Sequence, residues 1–158
     1  MRTFSSATDN PEDFEYARRI RGLYLAATKR DNLEGIRVAK KALELDPDYS
    51  RVWVALGYFH YQRAYEGWSE DYAADVAASQ AAVDRAIELD PHLDASYSMA
   101  SQIALRFDRD FDRAVELSRK GVELNLNNPQ GWAILGTSLA FAGAPEEGLR
   151  AFKQMERL

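Results

Sequence analysis

The chain has 158 residues, a length that fits one compact domain or one short array of repeats. Its 20 Lys and Arg against 25 Asp and Glu give a formal net charge of −5, which argues against nucleic acid or an anionic membrane as the main partner. The absence of cysteine excludes disulfides and thiolate metal sites, and two histidines far apart in sequence do not indicate a zinc site.

Two further absences in the sequence bear on location. The least polar stretch, residues 132–144, is shorter than the roughly 20 apolar residues of a membrane span. Residues 1–10 lack the apolar segment of a signal peptide. We therefore expect a cytoplasmic protein with no membrane partner.

The chain repeats itself internally. Ala-Leu-Glu-Leu-Asp-Pro at residues 42–47 recurs with one change at 86–91, 44 residues later, and in degraded form at 121–126, after another 35. A second motif, Trp-Val-Ala-Leu-Gly at 53–57, recurs as Trp-Ala-Ile-Leu-Gly at 132–136. The offset between these two copies equals the sum of the 44- and 35-residue spacings of the first motif. Two unrelated motifs therefore share one register, which predicts a repeat architecture.

Capping and breaking residues divide the sequence into predicted helices. Asn10-Pro11 and Asn128-Pro129 indicate helix starts, Asp31 with Glu34 is typical of a capping box, and Pro47 and Pro91 end helices. No segment alternates with a period of two, so we predict no strands. The predicted helices are 11–29, 31–45, 49–66, 70–89, 93–107, 110–124, 129–142 and 145–157.

A 34-residue unit with Trp-x-x-Leu-Gly near its start and Ala-x-x-Leu-x-Pro at its end resembles the tetratricopeptide repeat (TPR). The resemblance covers nearly the whole chain and implies an all-α fold, a right-handed superhelix of about four repeats and eight helices. We predict a disordered or tag-like N-terminus at 1–10 and a single TPR domain at 11–158, with repeats at about 15–49, 50–93, 94–128 and a truncated 129–158. Tyr97, Ser101 and Leu126 depart from the pattern, so we expect the third repeat to be looser.

The second repeat is ten residues longer than the others, with the extra residues around 67–71. Together with residues 21–25, 45–49 and 141–148, this run resembles the TPR region at the C-terminal end of bacterial class III adenylate/guanylate cyclases. It is also similar to the sensor part of some bacterial winged-helix transcriptional activators. The cyclase resemblance implies a signalling protein whose catalytic domain precedes this chain and is not contained in it.

The sequence itself offers no catalytic or metal-binding pattern. There is no Gly-rich phosphate loop, no His-Glu-x-x-His and no Gly-x-Ser-x-Gly. Asp108, Asp110 and Asp112 alternate as in a calcium loop but lack its Gly and its distant Glu, so we interpret them as turn and cap residues. For His60 we favour a partly buried, hydrogen-bonded side chain over a binding role. We expect no enzyme activity, metal or cofactor in this chain.

In a repeat array, the first helix of each pair lines the concave face. The repeat register places an aromatic and mildly basic set there, of the residue types that dominate protein interfaces and bind peptide carboxylates. The alternative for each tyrosine is packing between repeats. The candidates are Tyr16, Arg19, Leu23, Arg51, Val54, Tyr58, Tyr61, Gln62, Ser98, Gln102, Arg106, Thr137 and Phe141.

Two other surfaces follow from the pattern. We predict that the ten extra residues lengthen both helices of the second pair and place Tyr65, Trp68 and Tyr72 on a protrusion. In the last helix, Leu149, Phe152, Met155 and Leu158 spread over a wider arc than one neighbouring helix covers. We therefore expect either a homodimer through this end or further residues of a longer chain that cover it.

These observations predict a non-enzymatic module that binds a protein or peptide in its concave groove, as part of a cyclase-like signalling protein. Two alternatives stay open: a fragment of an active cyclase, which an assay of cyclic nucleotide formation tests, and a free-standing adaptor. The genomic reading frame around the segment distinguishes a fragment from an adaptor.

Overall fold

The computed structural model describes the backbone of residues 11–26 and 28–158, and the side chains of residues 15–24 and 28–158. Within these residues the chain is helical and has no strand, as predicted. The eight α-helices are α1 (Pro11–Ala26), α2 (Lys29–Leu45), α3 (Ser50–Tyr65), α4 (Tyr72–Leu89), α5 (Asp94–Ile103), α6 (Phe111–Leu124), α7 (Pro129–Phe141) and α8 (Pro145–Met155). They form four successive pairs, called repeats one to four below. The predicted N-terminal tail, residues 1–10, lies outside the described residues.

Close backbone contact holds the helices of a pair together. A methyl group on Gly57 of α3 would come within 2.8 Å of the Val83 side chain and 3.2 Å of the Ser79 carbonyl oxygen on α4. In repeat four, a methyl group on Gly148 would come within 2.7 Å of the Gly136 carbonyl oxygen. The Leu-Gly motif of the repeat therefore marks the crossing point of each of these pairs.

The aromatic residue that begins each of repeats two to four fixes the turn before it. Trp53 and Trp132 donate through Nε1 to the carbonyl oxygens of Pro47 and Leu126, both at 2.8 Å. In repeat three the Tyr97 hydroxyl donates to the Pro91 carbonyl oxygen at 3.1 Å. Tyrosine therefore replaces tryptophan without loss of this hydrogen bond.

Ser101, the second departure in repeat three, is fully buried. Its hydroxyl donates to the Ala114 carbonyl oxygen of α6 at 2.7 Å and lies 3.2 Å from the Ser138 hydroxyl of α7. The hydrogen bonds of Tyr97 and Ser101 correct the expectation of a looser repeat, because both replacements bind their neighbours directly.

Repeat three contains a π-helical turn, Ala104–Asp108, directly after α5. The segment from Tyr97 to Ala114 is longer by one residue than the corresponding segment from Trp132 to Gly148 in repeat four. One extra residue in a helix widens one turn to a π-bulge, which keeps the flanking residues in register. The helix predicted at 93–107 is therefore two segments, and the extra residue explains why the spacing of the third repeat exceeds the usual repeat length by one.

The start of α2 differs from its predicted capping box. Thr28 is the N-cap, and its hydroxyl oxygen accepts a hydrogen bond from the Asp31 backbone N–H at 3.1 Å. Glu34 does not return to the cap but forms ion pairs with Arg37 and Arg19. The Thr28 hydroxyl also donates to the Asp31 carboxylate at 2.5 Å, so the capping interaction lies three residues earlier than predicted and α2 begins at residue 29.

The ten extra residues of repeat two are divided between helix and turn. α3 has 16 residues and α4 has 18, against 13 in α7 and 14 in α6, and residues 66–71 connect them. The backbone N–H groups of Trp68 and Ser69 donate to the Arg63 carbonyl oxygen at 2.9 and 3.1 Å. The helices are thus longer than those of repeats three and four but not than those of repeat one, since α1 and α2 have 16 and 17 residues. They end at 65 and begin at 72 instead of 66 and 70, so the connecting turn takes part of the insertion.

Candidate functional site

One face of α3 carries a stripe of mostly aromatic residues. Arg51, Val54, Tyr58, Tyr61 and Tyr65 follow one another at helical spacings of three or four and therefore share that face. The stripe is about 21 Å long, at a rise of about 1.5 Å per residue. It belongs to a first helix, which in a repeat array faces the concave side.

The middle of the stripe is an aromatic pair between two repeats. The Tyr24 ring of α1 stacks on the Tyr58 ring with centroids 3.8 Å apart. Burial raises the pKa of Tyr24 to about 12, and the neighbouring Tyr58 acts in the same direction. The Gln130 side chain, at the start of α7, opposes this rise in pKa. Tyr24 therefore connects repeat one to repeat two.

At its other end the stripe continues into repeat three. The buried Tyr61 ring lies 5.7 Å from the Tyr65 ring and 5.1 Å from the Phe107 ring of the π-turn. Tyr72 meets Phe107 edge to face at 5.9 Å, and the Arg106 guanidinium lies over Tyr65 at 5.3 Å from its centroid. These rings and Arg106 form one surface, the aromatic end, to which α3, α4 and the π-turn contribute.

The aromatic end is open to solvent on one side. Tyr65 and Tyr72 are 51% and 55% exposed, and Arg106 is also exposed. Trp68, the third residue predicted on the protrusion, is only half-buried in the connecting turn. Exposed aromatic rings held in place by buried ones are typical of a surface that binds a partner.

A buried polar network fixes the connecting turn against α3 and α4. The Asp75 carboxylate accepts from the Ser69 hydroxyl at 2.5 Å and from Arg63 Nε at 3.1 Å, and it lies 2.6 Å from His60 Nδ1. Burial opposes ionisation of Asp75, but the hydrogen bonds from Ser69, His60 and Arg63 outweigh it, so the pKa of this carboxyl lies below its usual value. The network explains His60 as a hydrogen-bonded, partly buried residue.

Several predicted groove residues are engaged elsewhere. Gln62 is buried, and its Oε1 accepts from Asn32 Nδ2 at 3.0 Å, so the prediction that it lines the groove is corrected: it is a core residue. Arg19 forms its ion pair with Glu34 of α2. Tyr16 is half-buried and packs against the core of repeats one and two.

Three other predicted groove residues lie at or near the surface, whereas Ser98 is buried, so the prediction that it lines the groove is also corrected. Arg51 is exposed and Gln102 is half-buried. Phe141 is 55% exposed, and its ring lies 6.0 Å from the Phe111 ring. At the last helix, Leu149 and Leu158 are 55% and 52% exposed, whereas Met155 is half-buried.

Sequence reasoning missed three residues that organise this region, Tyr24, Asn32 and Asp75. Tyr24 had a usable signal, because it precedes Tyr58 by one repeat length. Asn32 and Asp75 had none, because a polar residue on a helix gives no sign in the sequence that its partners are in the core.

The described part of the chain holds no cluster of three His, Cys, Asp or Glu side chains that would bind a metal ion. Within the same residues, every helix is too short or too polar to span a membrane.

Comparison with known proteins identifies the fold. No family model matches the sequence, and no curated protein matches it either. Among solved structures, the chain is similar to a thermophilic TPR protein of Thermus thermophilus, with a TM-score of 0.70 and 14% identity over 86% of this chain and 72% of that one. It is also similar to MamA of MSR-1, with a TM-score of 0.58 and 16% identity over 94% and 79% of the two chains.

A third similar structure is the O-GlcNAc transferase of Thermobaculum terrenum, with a TM-score of 0.58 and 20% identity over 78% of this chain but only 22% of that one. At such identities the likeness concerns architecture and not activity. The four helix pairs of this chain therefore have the TPR fold.

Proposed function

We propose that the chain is a cytoplasmic protein-interaction module that binds a peptide segment of another protein along the α3 stripe and the aromatic end. The observation that carries the proposal is the aromatic end itself, where the half-exposed Tyr65 and Tyr72 pack on the buried Tyr61 ring and the half-buried Phe107 ring. Ordered aromatic side chains lose little conformational entropy on binding and provide large contact areas. Arg51 and Arg106 place one cation near each end of the stripe, where a peptide carboxylate would be bound.

The test begins with selection of peptides from a random displayed library on the wild-type protein. We expect selected peptides to lose at least tenfold in affinity for the Tyr65→Ala/Tyr72→Ala variant, because the exposed rings supply the contact area. The Leu33→Ala/Leu45→Ala variant is the matched control, since these side chains of α2 are also 48% and 45% exposed. Unchanged affinity of the tyrosine variant would contradict the proposal.

A second pair of substitutions tests the cations. We expect Arg51→Ala/Arg106→Ala to weaken the same peptides while the melting temperature changes by only a few degrees, because both side chains are exposed. Equal affinity of this variant and the wild type would contradict a binding site on this stripe.

The parent protein is a separate proposal. The resemblance of residues 67–71 and 141–148 to cyclase-associated TPR regions supports a bacterial signalling protein with a catalytic domain before this chain. The reading frame of the gene tests it directly, because a frame without a cyclase domain would contradict it.

A further inference from the structure

A second candidate site lies between the second helices of repeats three and four. An open cavity of about 470 Å³ is lined by Arg119 of α6, Trp132 of α7, Glu147, Arg150 and Lys153 of α8, and Arg157 in the turn after α8. Leu135 and Leu139 of α7 also line it. Its size is in the range of ligand sites in proteins, and it is separate from the aromatic end.

The cavity is strongly basic although the protein is acidic. Glu147 is the one carboxylate among the lining residues, and it pairs with Arg119 at 2.8 Å. Arg150, Lys153 and Arg157 are the other charged lining residues, and Arg150 and Arg157 are exposed. None of the three has an ion-pair partner among residues 15–24 and 28–158. Three uncompensated cations at one cavity attract an anionic ligand.

A second cavity lies at the corresponding position one repeat earlier, and its charged residues differ. A cavity of about 430 Å³ is lined by Tyr97 and by Glu116, Leu117, Arg119, Lys120 and Glu123 of α6. Glu116 and Glu123 precede Arg150 and Arg157 by one repeat length, so repeat three carries a carboxylate at each of the two arginine positions. The geometry belongs to the repeat, whereas the positive charge is particular to repeat four and is not required for the fold.

We propose that this basic cavity binds an acidic peptide segment in which carboxylates flank an apolar side chain. Arg150 lies on α8 and Arg157 in the turn directly after it, seven residues apart, which corresponds to about 10 Å at the rise of a helix. One small anion does not bridge this distance, whereas successive peptide carboxylates do. Each guanidinium can bind a carboxylate with two hydrogen bonds. Trp132, held by its hydrogen bond to the Leu126 carbonyl oxygen, provides an ordered apolar surface in the same cavity.

Fluorescence anisotropy with a labelled peptide, Gly-Glu-Glu-Ala-Phe-Ala-Glu-Glu-Gly, tests the proposal. The wild type should bind it, bind the version with Gln for every Glu at least tenfold more weakly, and lose affinity as salt is raised. The Arg150→Glu/Arg157→Glu variant should also lose at least tenfold. Arg21→Glu/Lys40→Glu is the control, since it changes the net charge equally at exposed residues of α1 and α2.

Three results would overturn the proposal. Equal loss in the two charge-reversed variants would show attraction by overall charge and overturn the proposal, as would equal binding of the Glu and Gln peptides. Retained binding in the Arg150→Glu/Arg157→Glu variant would also overturn it. The Tyr65→Ala/Tyr72→Ala variant should bind this peptide like the wild type, so failure here is distinguishable from failure at the aromatic end. Circular dichroism confirms that each variant is folded.

Discussion

Glycine at the crossing of α3 and α4 sets how closely these helices pack. We expect Gly57→Ala to destabilise the protein by about 1 kcal/mol, because the new methyl group would clash with Val83 and the Ser79 carbonyl oxygen. Overpacking of this kind costs about 1–3 kcal/mol. The higher helix propensity of alanine offsets about 1 kcal/mol of that cost. Gly22→Ala in α1 is the control, since its methyl group meets nothing within 4 Å. It should stabilise the protein by about 0.5–1 kcal/mol. Urea unfolding measures both, and equal shifts would contradict the packing argument.

Asp75 makes a pH-dependent contribution to stability. We expect Asp75→Asn to lower the free energy of unfolding at pH 7 by about 2–3 kcal/mol, since a buried carboxylate with three partners is lost. Because the folded pKa of Asp75 lies below its ordinary value of 3.8, its contribution is present above that value and is lost as pH falls through the folded pKa.

The wild type and the Asp75→Asn variant should therefore converge in stability below about pH 4. Asp84→Asn is the control on the same helix, since Asp84 is exposed. A difference that stays constant from pH 7 to pH 3 would contradict the role of the carboxylate.

Single residues also show the limit of sequence reasoning. The Leu-Gly motifs indicate where the helices of a pair cross, because small residues that recur in one register allow two helices to pack closely. Gln62 shares the register of the groove but turns to Asn32, because a buried amide needs a partner and Asn32 provides one. The sequence pattern does not distinguish these two orientations of one side chain.

At the scale of the element, the turn 66–71 is the part of repeat two most open to test. We expect slow amide exchange at Trp68 and Ser69, because both N–H groups donate to the Arg63 carbonyl oxygen and Ser69 is bound to Asp75. Ser69→Ala should accelerate exchange across the turn, whereas Glu70→Ala, at an exposed neighbour, should not. Rapid exchange throughout residues 64–74 of the wild type would contradict an ordered turn.

Helix boundaries were predictable to within a few residues, and the exceptions have physical causes. Thr28 replaces Asp31 as the cap because the Thr28 hydroxyl exchanges hydrogen bonds with the Asp31 backbone N–H and carboxylate. The extra residue that forms the π-turn is visible in the spacing of the repeats. The π-turn itself was not predicted, because its position within the repeat depends on which turn widens most easily.

At the scale of the whole molecule, the exposed leucines of α8 and the residues after it predict self-association, which we propose as a dimer through this end. Sedimentation velocity should show an association that Leu149→Glu/Leu158→Glu relieves, because charge at these 55% and 52% exposed positions opposes burial. Leu33→Glu/Leu45→Glu, at leucines of similar exposure on α2, should leave it unchanged. A wild type that remains monomeric at high concentration would contradict the proposal.

The stacked rings of Tyr24 and Tyr58 tie repeat one to repeat two, because each ring belongs to a different repeat. A ligand that spreads these two repeats has to separate the rings, so its binding and the stretching of the protein are thermodynamically linked. The Tyr24 hydroxyl reports that stretching. Its pKa of about 12 depends first on burial, so an opened array would release a tyrosine that ionises nearer its ordinary value of 10.0, visible as tyrosinate absorbance at alkaline pH.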